Sequence, residues 1–591
     1  MGGMPLSCRS EKVMSDRVGF VCNGAAVEVD VAPGESLLSV LREHLGLSSV
    51  KDGCAPQGQC GCCTVLVDGD ARVACVTPAA RVQGRAVTTV EGLDATTRDE
   101  LAGAFVASGG SQCGFCTPGI VMRAASLIAK DRTSRTDVDR GLAAHLCRCT
   151  GWQTVYEAFD GAAGKPARAT GRDLDAAARR ALLEGGTRQQ VAADVPLGGG
   201  GFADDVAPAG ASVAVPLPPG AAFDAGNDAV VDAAGLTWVV AGSLLDARAG
   251  AGKVQGRRTT IEERPPLALP ELPLRGVRLA TGWVEPAYLE PDASWCEPGA
   301  EPATPLANGG AFGGKESSVA PHAARELADR LGRPVRVVLS REDVVRLGPK
   351  RPPIAASAVY DRGVVVVRGR VVEGGESAFA GAGTSPYRVE VDQRWDAVPV
   401  AGPPVATHLR SAGAAELAVL VEGALDAAGA DRAALIESDR AAGVLLDTCS
   451  SAPGGALAGA RVHLDDAGAL ARVEVRVAAG DPLDDVVLRS YAVGATHMAL
   501  GWVLSEGIAV DLDSGEVCDL TIRSFGIIRA KDTPPIDVTI VDDDGAPRPR
   551  GSDAVFAAVA GAAWNAVTRA DGGRPEAFPA RGARAARRLR R

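Results

Sequence analysis

At 591 residues the chain is long enough for several domains, and 46% hydrophobic against 23% charged residues is the balance of a globular protein. A net charge of -11 sets nucleic acid aside as a main partner. No run of about 18 apolar residues occurs and MGGMPLSCRSEKVMSD has no apolar leader core, so neither a membrane span nor secretion is expected and a cytoplasmic location follows.

The first elements read as a hairpin over 18–32, where VGFV and AVEVDV flank the tight-turn pair Asn23-Gly24. A helix from Glu35 to Leu45 is expected next, stopped near Gly46. TVLVDGDARVACV reads as two short strands around Asp68-Gly69, and hairpin, helix, cysteine loop, hairpin is the order of a β-grasp ferredoxin. From about residue 97 the pattern is helical. Four short helices are expected: Asp99–Ser108, one opened by Pro118, one capped by Thr136 and Asp139 together and ending at Cys147, and Gly151–Phe159. The Arg-, Ala- and Lys-rich stretch 164–190 reads as a partly helical linker. Beyond it, ASVAVPL, LTWVVAG, VRVVLS, GVVVVRGRVV and DVTIV are strands. Helices are expected at Pro321–Leu331 and Ala414–Ala428, and the basic RGARAARRLRR at the end is expected to be disordered.

Eight cysteines form two groups of four. Cys54, Cys60, Cys63 and Cys75 lie in GCAPQGQCGCCTVLVDGDARVAC, and Cys113, Cys116, Cys147 and Cys149 lie in QCGFCTPG and LCRCTG. Each [2Fe–2S] cluster takes four thiolates, so two clusters and single-electron transfer are expected. Plant-type ferredoxins use C-x4-C-x2-C, whereas the first gap here is five residues. Gly53, Gly58 and Gly61 would let the backbone close on a cluster. Cys62 reads as a bystander, and zinc is the alternative occupant of a C-x2-C pair. His44, His145 and His497 read as packed residues rather than ligands.

QCGFCTPGIVM, LCRCTGWQ and VTTVEGL (87–93) closely resemble the iron–sulfur domains of the xanthine dehydrogenase family of molybdenum hydroxylases, over about residues 18–160. The resemblance implies a β-grasp [2Fe–2S] domain at 17–92 and a four-helix [2Fe–2S] domain at 93–163. A linker at 164–190 and α+β molybdopterin-binding lobes follow, with a shortened first part at 191–300, the main domain at 301–580 and a basic tail at 581–591. It places Gln112 and Cys149 near the pterin. GGAFGGKE (309–316) resembles the family's glycine loop and implies cofactor contacts from Gly309, Gly310, Phe312, Gly313 and Gly314. YLEPDA, RPVRVVLSRED and KRPP also follow the family order. LRSAG (409–413) resembles a divergent cofactor loop and points to Arg410, with a surface arginine as the alternative. RSYAVGATHMALGWVLSEG resembles a helix that packs at the pterin.

Two departures stand out. Residues 297–308 are too few for the family's Gln segment, and where its catalytic glutamate is expected the chain has Ser552-Asp553. Asp553 is therefore the candidate catalytic base, or else the N-cap of the helix AVFAAVAGAAW. The family implies hydroxylation of an electron-poor carbon of a small-molecule substrate, with electrons leaving through both clusters. GCAPQGQCGCCTVL and RSFGIIRAKDTPP are most like the selenium-dependent xanthine dehydrogenases, which implies a purine or other N-heterocycle. No flavin domain is recognisable, so a separate flavin subunit and an oligomer are implied. The competing expectation is an electron-transfer subunit with a degenerate molybdenum domain.

Overall fold

The computed structural model describes residues 16–165, 171–218, 229–252, 262–380 and 385–589. The hairpin forms as the sequence predicts: Asp16–Cys22 and Ala25–Val31 pair antiparallel around Asn23-Gly24. Thr64–Val67, Asp70–Val73 and Ala86–Thr88 complete a five-stranded mixed sheet. The helix expected at Glu35–Leu45 is shorter and irregular. Ser36 caps a turn at Leu37–Ser39 that continues as a π-turn over Val40–His44. Leu37, Leu38, Val40 and Leu41 are buried under the sheet, each such side chain contributing about 1.5–3 kcal/mol.

The four helices of the next unit are Ala95–Ser108, Thr117–Ile128, Arg135–Gly141 and Gln153–Ala162. The third is capped by Ser134, whose hydroxyl accepts from the Asp137 N–H, and not by Thr136 or Asp139. It ends at Gly141 and a 3₁₀ turn, Leu142–Ala144, before Cys147. In the stretch read as a linker, the helix Leu174–Gly185 buries Ala177 and Ala181 against Val487 and Tyr491. It belongs to the packed body because its alanine face is apolar.

Three more sheets follow. The first pairs Ser212–Pro216 in parallel with Val335–Val338 and also holds Ala293–Cys296. It therefore runs across the boundary expected at residue 300. The other two sheets flank three long helices, Ala414–Ala427, Asp485–Leu504 and Gly551–Asp571. Asp485–Leu504 is buried almost end to end. Among the described residues no helix is long and apolar enough to cross a membrane. The tail expected to be disordered forms a helix, Arg584–Leu589, with Ala585 and Ala586 buried and Arg584 on Asp571. Small apolar residues between the arginines give it one face to bury.

Candidate functional site

The first thiol group is brought together by the loop 54–63 and the 3₁₀ turn Ala74–Val76. Cys54, Cys60, Cys63 and Cys75 are all buried and no described cysteine is in a disulfide. The Cys54 sulfur accepts from the N–H groups of Gln59 and Cys60 at 3.4 Å each, and the Cys63 sulfur from the Cys75 N–H at 3.4 Å. Hydrogen bonds from Cys60 and Cys75 hold the Cys54 thiol well below the ordinary thiol range. The donating partners, Cys60 and Cys75, are pushed up by that bond and then by burial. Four buried thiols gathered at one place are a donor set for a metal cluster, since all four deprotonate when iron binds. Among the described residues no group of three or more His, Cys, Asp or Glu side chains closes around a single metal ion. The four thiols instead form a chain of contacts, Cys60 to Cys54 to Cys75 to Cys63.

The second group meets in two pairs. Cys113 and Cys149 stand at 3.6 Å, sulfur to sulfur, and Cys147 is hydrogen-bonded to Cys116 and Thr150. The bond from Cys116 brings Cys147 down to about 7, while Cys116 and Cys149 are raised by their donor roles and by burial. Pro118 sits in the first turn of its helix, which starts beside Cys116.

The two groups face each other across a backbone contact. A Cβ on Gly61 would stand 2.5 Å from the Ala144 carbonyl, and one on Gly119 would stand 2.2 Å from the Gly61 carbonyl. Gly61 is thus needed where the two units meet, rather than at its own cysteine group. Cys62, read from sequence as a bystander, is buried in this seam. Its thiol is hydrogen-bonded by Cys60 yet raised overall by burial and by charge from Cys54 and Cys63 on one side and Cys113 on the other. Nothing in the sequence marks that position. His145 is a packed residue as expected: Nε2 lies 3.1 Å from the Thr64 hydroxyl, and burial brings it down to about 3.

The second group also abuts the C-terminal lobe. The Gln112 side-chain amide donates to the Cys149 carbonyl and to the Ser490 hydroxyl, both at 2.9 Å. A Cβ on Gly494 would stand 1.8 Å from that same carbonyl, so glycine lets the cysteine loop lie on the long helix. Between Cys147 and Cys149, Arg148 makes a buried two-point ion pair with Glu506 at 2.5 and 2.7 Å. Sequence spacing could not reveal a partner 358 residues away.

Five consecutive residues of the glycine loop, Gly309 to Gly313, have positive φ. In Ala311 (51°) and Phe312 (59°) that is a strained conformation, of the kind held at functional sites by surrounding structure. Gly309, Ala311 and Phe312 line a cavity of about 40 Å³ with Gln112, Cys113 and Cys149. Gly310, Gly313 and Gly314 do not face it. They make room for Thr187, the His408 carbonyl and Tyr288. Beneath lies the buried Lys315–Glu290 pair at 2.6 Å, with burial raising Glu290 to about 7.

Phe312 and Arg148 also wall a second cavity, of about 30 Å³, reached by Arg410, Met498 and Glu506. Arg410 is buried, not a surface residue. Its N–H donates to the Phe312 carbonyl at 3.1 Å and its guanidinium stacks 4.6 Å from the Phe312 ring. Asp553 is buried beside it, 3.6 Å from Arg410 Nε and 3.7 Å from Arg550 Nη1, and burial raises its carboxyl. It is not the N-cap. The helix begins at Gly551, and Glu184 from another helix accepts from the Gly551 and Ser552 N–H groups at 3.2 and 2.8 Å. The remote carboxylate takes the capping role and leaves the Asp553 side chain for Arg410. Amide, guanidinium and loop donors suit an anionic cofactor on either side of Phe312, although the two spaces together hold only a few waters.

The family described as 2Fe-2S iron-sulfur cluster binding domain matches residues 20–86, and that described as [2Fe-2S] binding domain matches residues 89–160. The xanthine dehydrogenase iron-sulfur-binding subunit of Escherichia coli O157:H7 is 44% identical over 147 residues, which are 24% of this chain and 91% of that protein. The nicotine 6-hydroxylase small subunit of Paenarthrobacter nicotinovorans is 41% identical over 154 residues, 26% of this chain and 93% of the relative. The solved aldehyde oxidoreductase from Desulfovibrio gigas shares the fold at a TM-score of 0.73 and 16% identity, covering 96% of this chain and 99% of that one.

Proposed function

The chain belongs to the xanthine dehydrogenase family of molybdenum hydroxylases, and from that premise we propose that it oxidises a small molecule at a molybdopterin site and passes the electrons out through two [2Fe–2S] clusters. The carrying observation is the cavity that Gln112, Cys113 and Cys149 share with Gly309, Ala311 and Phe312. It joins the cysteine group nearest the C-terminal lobe to that lobe's strained loop. Cys54, Cys60, Cys63 and Cys75 ligate the outer cluster, and Cys113, Cys116, Cys147 and Cys149 the inner one.

Molybdopterin, when bound, supplies the redox centre at which substrate is oxidised. Gln112 and the loop residues that face the cavity, Gly309, Ala311 and Phe312, would hold its polar edge, and the Arg410 guanidinium would neutralise its charge. Phe312 lines both small cavities, so a bound cofactor would lie against its ring. Asp553 stands in for the family glutamate as the proton acceptor, its carboxyl raised by burial and countered by Arg410 and Arg550. A purine or other N-heterocycle is the substrate class, the protein works as a cytoplasmic oligomer, and the electrons leave to a separate flavin subunit or to a small-molecule acceptor.

A second reading, a non-catalytic electron-transfer subunit, draws support from the two arginines on Asp553 and from the narrowness of both cavities. Iron, molybdenum and pterin content of anaerobically purified protein separates the two. About four irons per chain with near-stoichiometric molybdenum and pterin is the expected result. Iron without molybdenum, from a host that loads other molybdenum enzymes, would favour the second reading, and absence of iron would sink both.

A further inference from the structure

The largest described cavity, about 480 Å³, lies away from the glycine loop, whereas the others measure about 20–40 Å³. It falls within the roughly 300–1,000 Å³ that small-molecule sites occupy. One wall is Cys75 together with Ala55-Pro56, which follow Cys54. The opposite wall is the helix Leu244–Ala251, with Leu244 buried, Leu245 at the mouth and Ala249 facing in. A molecule here lies against Cys75 of the outer cysteine group, and Cys62 is not part of the lining.

The charges restrict what can bind. The lining holds five carboxylates against two guanidiniums. Neither guanidinium is spare: Arg42 is held by Asp204 and Asp205, and Arg248 by Asp52. Among the described residues that line it, then, no cation is left to receive a phosphate. Glu35 and Glu342 are likewise engaged, by Ser39 and Gln57.

We infer that this cavity binds an uncharged, planar two-electron acceptor of the quinone class, reduced directly by the outer cluster. The inference rests on the reading that the two thiol groups hold [2Fe–2S] clusters. Two reduced clusters return to the oxidised form by giving one electron each. The quinone takes both electrons with two protons from solvent and leaves as the hydroquinone. No bond to the protein forms.

The test uses the full chain, anaerobically reduced with stoichiometric dithionite and mixed with menadione while the cluster absorption is followed in stopped flow. The expected result is a reoxidation rate that saturates with menadione in the wild type. Ala249→Trp, which fills the cavity from an exposed helix position, should raise the half-saturating concentration at least tenfold, and Leu245→Trp at the mouth serves if the first variant does not fold. Flavin mononucleotide, an anionic comparator, should give a linear rate that neither substitution changes. A linear menadione dependence in the wild type, wild-type saturation in both variants, or tighter saturation by the flavin would overturn the inference. Failure of the underlying cluster reading shows itself separately, as protein with no visible absorption to bleach.

Discussion

The iron–sulfur part and the C-terminal lobe reach the same cavity by different routes. Relatives 41–44% identical cover the first part, whereas the likeness of the whole chain to a solved oxidoreductase rests on 16% identity. Four thiolates around one cluster impose short, fixed spacings on neighbouring residues. The C-terminal side of the site is assembled from the glycine loop, residues 409–413, the long helix and the start of the last long helix. Each contributes one or two side chains, and each contact can be rebuilt by another residue. Family resemblance therefore survives in the first part and fades in the second.

The sharpest way to break this contrast is within the first part. Cys116→Ala should cost one cluster outright, with iron falling from about four to about two per chain and one of two paramagnetic signals lost on reduction. Unchanged iron would remove Cys116 from the ligand set. In the second part, Asp553→Asn should lower turnover by about 10²–10⁴ with iron and molybdenum retained, if the lobe catalyses as proposed. Undiminished turnover would take Asp553 out of the chemistry.

The joint between the parts is tested by Arg148→Met, which leaves the buried Glu506 carboxylate unpaired. A loss of about 3–5 kcal/mol in denaturant unfolding is expected, partly recovered by adding Glu506→Gln. The pH dependence probes the same joint through His497, whose Nε2 lies 2.9 Å from the Ile528 carbonyl. Burial first, then Arg148, lowers it from 6.5 to about 4. Between those values the unfolded chain binds the extra proton, so stability falls as the pH is lowered from about 6.5 to about 4. The loss from this group reaches about 3 kcal/mol. His497→Gln should flatten that slope in melts at pH 4.5 and 7, and an unchanged slope would assign it to other groups.

The smallest effect separates two glycines with the same backbone demand. Gly61 (φ 71°) and Gly69 (φ 80°) both lose about 1–2 kcal/mol on substitution by alanine from conformation alone. Only at Gly61 does the new methyl meet a backbone, so Gly61→Ala should cost a further ~1–3 kcal/mol and Gly69→Ala nothing more. Equal costs would mean that the seam between the two units yields.

Much of this molecule was already determined by short-range sequence. Turn chemistry at Asn23-Gly24 and Asp68-Gly69 set the hairpins, apolar periodicity set Ala320–Leu331 and Ala414–Ala427, and cysteine spacing set the two groups. Helix starts were less legible where the cap is remote or a better one lies nearby, as with Glu184 on Gly551 and Ser134 ahead of Thr136. The tertiary structure alone decided that Cys62 lies between the groups, that Arg148 pairs with Glu506, that Phe312 lines two cavities and that Asp553 lies against Arg410. Periodicity and spacing report on residues within a turn or a strand of one another. These contacts join residues up to several hundred positions apart, and their signal exists only once the chain has packed.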